Sequence, residues 1–373
     1  MNIPAISLFN HKGGVGKTTA CIHLAASFAD LGKKVLLVDA DSQCNLTSYL
    51  ILDNSTEEKG KEPSKELSEK ENKHLKSKDE KNNSLLADLQ AKKQTLKFGV
   101  GPVFEGRPVP ILPLEALGLK MSDKIFLVPG DVDIGSYETA LSLAYSLTDS
   151  LSSLKNMPGA FYYLIQKTAE KSKADIIIID LPPSLSAITQ NFVMTSNLIV
   201  CPVFPDLFSK LAIKSFAKVL PRWIKWTQSA QANDFLKEAD YPLPKHLPSF
   251  GGLIFQKFKL YNGQPASGYL QWIDEILKTT RELLVPILEP VSEVDQKYDL
   301  AQISDFNTLG TLAQKYNTAV FSLTSKELNK QNQKGAVQDQ TKKSQIAIKE
   351  QYASAASELL LKLKDQRFFS NES

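Results

Sequence analysis

Short apolar runs alternate with amphipathic segments along most of the chain. The clearest run is four consecutive isoleucines at 176–179, which is typical of a strand covered on both faces of a parallel sheet. Similar runs predict further strands at 3–9, 34–38, 124–128, 198–203 and 252–256. Helical spacing of apolar residues separates them, as at 18–31. Strands that alternate with helices predict an α/β fold with a doubly wound, mostly parallel sheet and helices on both faces.

Two stretches interrupt this alternation. Residues 54–83 carry eight lysines, eight acidic residues and only two large apolar residues, Leu67 and Leu75, too few to offset the entropy of ordering. We predict a charged insertion there, disordered or loosely helical. Residues 99–114, punctuated by Gly and Pro, are predicted to form a long ordered loop. The whole pattern predicts one domain over 1–325, followed by a C-terminal helical segment at 326–373.

Composition narrows the class of protein. The chain has 373 residues and a net charge of +3, so any polyanionic partner has to be contacted through a local patch. Cys21, Cys44 and Cys201 show no metal-ligand or disulfide spacing, which fits a reducing compartment. Neither a secretory leader nor an apolar stretch of membrane-spanning length is recognisable. We therefore expect a soluble cytoplasmic protein.

A glycine-rich turn follows the first predicted strand and precedes the first predicted helix. It is formed by Lys12, Gly13, Gly14, Val15, Gly16, Lys17, Thr18 and Thr19. Glycines allow the backbone to curl so that successive N–H groups face phosphate oxygens. Lys17 is placed to reach the β- and γ-phosphates, and the Thr18 hydroxyl to bind Mg²⁺. The turn therefore predicts a nucleotide phosphate site, with a simple strand-to-helix turn as the alternative.

Lys12, at the entry of this turn, has a different predicted role. A lysine at that position points away from its own phosphates and could reach a nucleotide held by a facing subunit. There it would stabilise charge on the transferring phosphoryl group. The alternative is an ordinary solvated loop lysine.

Three aspartates follow predicted strands at the edge where doubly wound folds bind ligands. Asp39 and Asp41 follow the strand at 34–38, and one of them could orient the attacking water or hold Mg²⁺ through water. Asp180 directly follows the isoleucine run and is placed to hold the Mg²⁺ shell. The alternative at both places is an aspartate that caps the next helix. The candidate metal ligands are thus Thr18, Asp39 and Asp180.

These motifs resemble the ParA family of partition ATPases, within the ParA/MinD group of deviant Walker A proteins. The resemblance includes KGGVGKTT at 12–19, VLLVDADSQCNLT at 35–47 and IIIIDLPPSL at 176–185. It continues through NLIVCPVFPDLFSKLAI at 197–213 and, more weakly, through LAQISDFNTLGTLAQKYNTAVFSL at 300–323. It implies a P-loop NTPase fold, ATP and Mg²⁺ as ligands, and a homodimer that encloses two nucleotides.

The resemblance also implies residue roles. Lys12 matches the signature lysine that acts across the dimer, Asp41 the hydrolysis aspartate and Asp180 the Walker B residue, so the candidate catalytic residues are Lys12, Lys17 and Asp41. The chain departs from the family where the usual DPQ reads Asp41-Ser42-Gln43, and where an acidic segment at 286–296 replaces a basic motif. No helix-turn-helix extension precedes the first strand, so the chain resembles the short, Soj-like type.

Residues 207–233 contain several basic side chains and no acidic one. Lys210, Lys214 and Lys218 recur every four residues along a predicted helix, which we expect Pro221 to break or kink. Such a stripe can contact DNA phosphates without reading sequence, although a solvated helix face is the alternative. The candidate DNA contacts are Lys210, Lys214, Lys218, Arg222, Lys257 and Lys259.

The C-terminal segment offers a rival surface. Within residues 353–369, Ala356, Leu359, Leu360 and Leu363 recur at helical spacing beside basic residues. This helix could dock on the core, bind a partner helix, or lie on a membrane as in MinD-like relatives. We favour docking on the core.

The combined expectation is a ParA-like ATPase that dimerises on MgATP, binds DNA non-specifically, and is reset by a ParB-like or cargo-adaptor protein that stimulates slow hydrolysis. It would segregate a plasmid or chromosome, or position another cargo, in the cytoplasm and in association with the nucleoid. The alternative is a MinD-like membrane-surface ATPase. A phosphotransferase acting on a small molecule ranks last, because no acceptor pocket is recognisable in the sequence.

Overall fold

The computed structural model describes residues 2–51, 80–147, 154–261, 264–289, 298–329 and 336–364. The predicted insertion at 54–83 lies outside this part of the chain, except for its last four positions, which belong to a helix at 80–91. The prediction of disorder therefore falls on residues that the structure does not describe.

An eight-stranded sheet forms the centre of the molecule, in the order β10-β7-β6-β1-β5-β2-β4-β3. All neighbours are parallel except β3 and β4, while β8 and β9 pair in a separate hairpin. The strands are β1 (Ala5–Leu8), β2 (Val35–Asp39), β3 (Leu117–Leu119), β4 (Ser122–Val128), β5 (Ile176–Asp180), β6 (Leu198–Val203), β7 (Ser249–Phe258), β8 (Leu260–Tyr261), β9 (Gln264–Pro265) and β10 (Asp299–Ser304). The predicted α/β fold is confirmed.

Helices cover both faces of the sheet. They are α1 (Lys17–Asp30), α2 (Asn45–Ile51), α3 (80–91), α4 (Leu96–Phe104), α5 (Glu138–Ser146), α6 (Met157–Ser172), α7 (Ala187–Thr195), α8 (Leu207–Ala232), α9 (Asp234–Lys237), α10 (Ser267–Thr279), α11 (Val285–Leu288), α12 (Thr308–Lys315), α13 (Ser325–Asn329) and α14 (Ala336–Lys364). Helices α4 to α8, α10 and α11 bury their apolar residues on one face. Helices α1, α2 and α12 to α14 do so on the other.

Two local predictions are wrong. The loop expected at 99–114 is helical up to Phe104, because Thr95 caps α4 by accepting a hydrogen bond from the Phe98 N–H. Gly99 then lets α4 lie against α6, since a Cβ there would come within 2.5 Å of the Leu164 side chain. The break expected at Pro221 is also absent, because α8 continues to residue 232, whereas the kink given as the other possibility stays a prediction. The proline removes a helical hydrogen bond, but buried residues such as Trp223 hold the following turns on the core.

The C-terminal helix α14 is part of the core. Tyr352, Ala355, Ala356 and Leu359 are fully buried, and the helix contacts α1 and β10. Its apolar face is thus covered by the sheet layer, which is the interpretation we favoured. In the part of the chain that the structure describes, no helix is both long and apolar enough to cross a membrane.

Gly159, in the first turn of α6, is the position where a small substitution should cost most stability. A Cβ there would lie 1.8 Å from the backbone carbonyl oxygen of Tyr241, and backbone yields less easily than a side-chain end. We expect Gly159→Ala to lower the free energy of unfolding by about 3 kcal/mol, although alanine favours helix. Urea denaturation would measure this change.

The matched control is Gly268→Ala, in the first turn of α10. Among the described residues, none from outside this turn comes within 4 Å of the Cβ position there, so this change should be neutral or stabilise by up to about 1 kcal/mol. Equal stability of the two variants would show that α6 can shift away from Tyr241 at little cost.

Candidate nucleotide-binding site

A cavity of about 600 Å³ opens at the carboxyl ends of the parallel strands, where doubly wound folds bind ligands. Its volume lies in the range of small-molecule sites. The glycine-rich turn after β1 forms one side, and the residues after β10 form the opposite side. Its lining includes Gly13, Gly14, Gly16, Lys17, Thr18, Thr19, Asp41, Gln43, Asn45, Tyr49, Pro183, Gln256, Lys257, Ile303, Ser304, Asp305, Phe306, Asn307, Gly310, Thr311 and Gln314.

The glycine-rich turn leaves the start of α1 open toward this cavity. Gly16, the residue before α1, has φ 90°, and among the described residues no side chain caps the helix. A Cβ at Gly16 would lie 2.8 Å from the Gln256 Oε1, and the positive backbone angle favours glycine at this position. Uncapped N–H groups and the positive end of the helix dipole suit a phosphate.

Lys17, the first residue of α1, is held at the floor of the turn. Its side chain is only 8% exposed, and its Nζ donates a hydrogen bond to the Asn10 carbonyl at 3.0 Å. Burial lowers the pKa of Lys17, while the charges of Asp180 and Asp41 oppose that shift. A phosphate would supply the anionic partner that the buried ammonium favours.

Thr18 and Asp180 meet beside Lys17. The Thr18 hydroxyl donates to the Asp180 Oδ2 at 2.6 Å, whereas the buried Asp180 Oδ1 has no hydrogen-bond partner within the described part of the chain. Burial, with the Asp39 charge second, raises the pKa of Asp180 to about 8. An unsatisfied carboxylate oxygen next to a hydroxyl fits Mg²⁺, which would favour the ionised carboxylate.

Asp39, the last residue of β2, and Asp41, two residues beyond it, have different surroundings. Asp39 is fully buried, and its Oδ2 accepts hydrogen bonds from the Thr47 N–H at 2.8 Å and the Thr47 hydroxyl at 2.7 Å. Burial raises the pKa of Asp39 to about 6. Asp41 lines the cavity and accepts a hydrogen bond from the Gln43 N–H at 2.9 Å. A metal-binding role for Asp39 stays a prediction, and its contacts fit support of α2 instead.

Lys12 lies outside the cavity wall. Its Nζ is 2.5 Å from the Asp206 Oδ2, and 5.3 Å and 5.5 Å from the ring centres of Phe204 and Phe208. The side chain therefore points away from the phosphate end of its own cavity, in the direction that its position in the turn predicted. Its action on a facing subunit's nucleotide stays a prediction.

The wall opposite the phosphate loop was missed by sequence reasoning. Residues 303–307, at the end of β10 and just after it, and α12 form this wall, although 300–323 was recognised only as a stretch of resemblance. Lys257 also belongs here, because its Nζ donates to the Gly14 carbonyl at 2.7 Å. It is therefore tied to the phosphate loop, not to the α8 stripe. The rule that ligands bind at strand carboxyl ends could have found these residues, had β10 been predicted.

The predicted DNA contacts on α8 share one helix face. Lys214, Lys218 and Arg222 are exposed, while the Lys210 Nζ pairs with the Glu275 Oε2 at 2.6 Å. The tryptophans between them serve the fold: Trp223 is buried, and Trp226 donates from its indole N–H to the Tyr145 carbonyl. Lys259 is exposed near the end of β7.

Two buried hydrogen bonds connect α14 to the phosphate loop. The Tyr352 hydroxyl donates to the Gln256 Oε1 at 3.4 Å, and the Gln256 amide donates to the Gly16 carbonyl at 3.2 Å. His23 of α1 stacks on Tyr352 and accepts at Nε2 from the Val320 N–H. Burial lowers the pKa of His23 to about 4, so the ring is neutral near pH 7.

A glycine-rich phosphate loop at the edge of a doubly wound parallel sheet defines a P-loop nucleotide-binding protein. A family model described as an AAA domain matches residues 3–96 and 119–233, more than half of the chain. The chromosome-partitioning ATPase Soj of Thermus thermophilus is 28% identical over 204 residues, which are 55% of this chain and 56% of Soj. The chain belongs to this AAA-domain family, and it is similar to the ParA and Soj proteins of the ParA/MinD group.

Solved structures share the fold. A structure of pNOB8 ParA bound to nonspecific DNA has a TM-score of 0.50 at 14% identity, covering 97% of this chain and 99% of that one. A Borrelia burgdorferi protein bound to AMPPNP has a TM-score of 0.51 at 17% identity, covering 97% and 99%. The chain spans between 52% and 60% of the length of the first curated relatives that it matches.

Proposed function

We propose that this protein is an MgATP-dependent dimeric switch that binds DNA non-specifically and hydrolyses ATP slowly to segregate or position a cargo. The observation that carries the proposal is the opposite orientation of two lysines in one loop. Lys17 lines the cavity, whereas Lys12 lies outside the cavity lining and pairs with Asp206. An outward lysine serves phosphoryl transfer only at another subunit's nucleotide, which couples hydrolysis to dimerisation.

Each residue of the cavity has a proposed task. The backbone of residues 13–16 and Lys17 would bind the β- and γ-phosphates, and Thr18 with Asp180 would hold Mg²⁺, which would supply charge neutralisation at the phosphate oxygens. Asp41 orients the attacking water and accepts its proton. Residues 305–307 and α12 bound the end of the cavity away from the loop, so we assign the adenine to them.

We assign DNA phosphate contacts to Lys214, Lys218 and Arg222, because these side chains are exposed along one face of α8. Lys210 contributes after it leaves Glu275. Contacts of this kind carry no base specificity. The pNOB8 ParA structure with nonspecific DNA supports the proposal by similarity of fold. In the cytoplasm, the ATP-bound protein would then bind to nucleoid DNA. A ParB-like or cargo-adaptor protein would stimulate ATP hydrolysis.

The test of DNA binding compares ATP, ADP and no nucleotide on a non-specific duplex over a range of salt concentrations. We expect binding with ATP alone. The Lys214→Ala/Lys218→Ala variant should bind more weakly, and the slope of log affinity against log salt should fall by about 2, since each lost phosphate contact lowers it by about 0.9.

The matched control is Lys342→Ala/Lys343→Ala, which removes two exposed lysines from helix α14. It should bind as the wild type does. Absence of binding with every nucleotide would refute the DNA part of the proposal, while MgATP hydrolysis and dimerisation would test the remainder.

A further inference from the structure

The start of α8, beside the phosphate loop, exposes three large apolar side chains. Leu207, Phe208 and Leu211 are 46%, 64% and 46% exposed, and we name them the α8 apolar patch. Isolated apolar residues on a surface are common, whereas a cluster next to a functional group indicates an interaction site. Lys12 lies at the edge of this patch, with its ammonium over the Phe208 ring.

Asp206 joins the patch to Lys12. As the residue before α8, it accepts a hydrogen bond at Oδ1 from the Ser209 N–H at 2.8 Å, and its Oδ2 pairs with the Lys12 Nζ. The two side chains are only about a quarter exposed. The helix cap fixes the carboxylate, and the rings of Phe204 and Phe208 add cation–π attraction. The pair is therefore stronger than an ion pair between freely moving surface groups.

We propose that Asp206 is a positioning residue that keeps Lys12 away from phosphate in the single chain, and that a second copy of this chain releases it by covering the α8 apolar patch. This inference rests on the proposed function, in which Lys12 acts across the dimer. The Lys12 ammonium cannot pair closely with Asp206 and also reach the facing subunit's γ-phosphate. Dimerisation must therefore break two such pairs, one in each subunit.

The second copy is the occupant because the patch and Lys12 are continuous. Phe208 of the patch lies against the Lys12 ammonium, and a second copy that carries a nucleotide would bring to Lys12 a phosphate with more negative charge than the Asp206 carboxylate. Burial of the α8 apolar patch and transfer of the Lys12 ammonium to phosphate then both favour the ATP-bound dimer. The pair thus opposes dimerisation without ATP and allows it with ATP.

Asp206→Asn is the informative variant. Asparagine caps a helix as well as aspartate does, so the change removes the charge pair and keeps α8. With Mg²⁺ and the non-hydrolysable analogue AMPPNP, we expect the dimer dissociation constant to fall by about 5-fold per subunit, or about 25-fold per dimer. Phe208→Ala should act in the opposite direction and raise it by at least about 10-fold. Sedimentation velocity over a concentration series would measure both.

A double-mutant cycle separates the proposed restraint of Lys12 by Asp206 from a purely structural role of Asp206 as a helix cap. In a Lys12→Ala background, Asp206→Asn should no longer change the dissociation constant, because there is no ammonium to hold. If Asp206 serves only as a helix cap, Asp206→Asn equals the wild type in both backgrounds, which would overturn the inference. An unchanged constant for Phe208→Ala would overturn the assignment of the second copy to the patch.

A measurement on the nucleotide-free protein does not depend on dimerisation. Acetylation of Lys12 by a water-soluble N-hydroxysuccinimide ester, followed by mass spectrometry, should be several-fold faster in Asp206→Asn than in the wild type, with the exposed Lys120 as internal reference. Equal acetylation rates of Lys12 in the variant and the wild type would refute the proposed restraint of Lys12 by Asp206. Faster acetylation in Asp206→Asn, together with no AMPPNP-induced dimer of the wild type, would support the Lys12–Asp206 contact and refute the dimeric switch.

Discussion

Replacement of Lys12 by alanine should lower MgATP hydrolysis by roughly 10³-fold or more and leave ATP affinity within about 3-fold of the wild type. The reason is position: Lys12 lies outside its own cavity, whereas Lys17 lies within it. Lys17→Ala should therefore weaken ATP binding itself. Steady-state turnover and equilibrium binding of a fluorescent ATP analogue would separate the two effects.

A mixing experiment tests whether Lys12 acts across the dimer. A heterodimer of Lys12→Ala and Asp41→Ala subunits has one site with an intact Asp41 that faces an intact Lys12. An equal mixture of the two inactive variants should then recover about a quarter of wild-type turnover, since half of the dimers are mixed and each has one complete site. If the mixture stays inactive while heterodimers form, Lys12 acts in its own subunit.

Replacement of Asp41 by alanine should lower hydrolysis by roughly 10²- to 10⁴-fold, the usual contribution of a positioned general base. Because the γ-phosphate persists, the ATP-bound dimer should accumulate. Asp41 is the aspartate after β2 that lines the cavity, so the effect should fall on turnover and not on folding. Light scattering with ATP, with turnover measured in parallel, would show a dimer that does not decay.

The control for Asp41 is Asp305→Ala, which removes a carboxylate from the opposite wall of the same cavity. It should change the KM for ATP more than turnover. An Asp41→Ala protein that remains monomeric with ATP, or that hydrolyses ATP normally, would contradict the role assigned to Asp41.

The strands and the phosphate loop could be predicted because their signals are local. The isoleucines of β5 and Asp180 are consecutive residues, and the glycines before α1 lie within four positions of the chain. The different surroundings of Asp39 and Asp41 could not be predicted from alternation, because β2 ends at Asp39 and the chain then turns. Asp39 is enclosed because Thr47, eight residues later, donates hydrogen bonds to its carboxylate.

The far wall of the cavity depends on contacts that no local pattern encodes. Gln256 and residues 303–307 approach the phosphate loop only because β7 and β10 take their places on one side of β1 in the sheet order. The Lys12–Asp206 pair joins residues 194 positions apart. Sequence reasoning predicted that Lys12 points outward, but its partner could be identified only once β6 was set beside β1.

The packing of α14 against α1 has a consequence for how the protein is made. The ribosome synthesises α1, which starts at the phosphate loop, early. His23 of α1 contacts Val320, which is synthesised 297 residues later, and Tyr352, which follows still later. At the usual 5–20 residues per second, this delay is roughly 15–60 s, during which the apolar side of α1 lacks its cover. Nascent chains should therefore need shielding by a chaperone until α14 emerges, and the phosphate loop should gain its final shape only then.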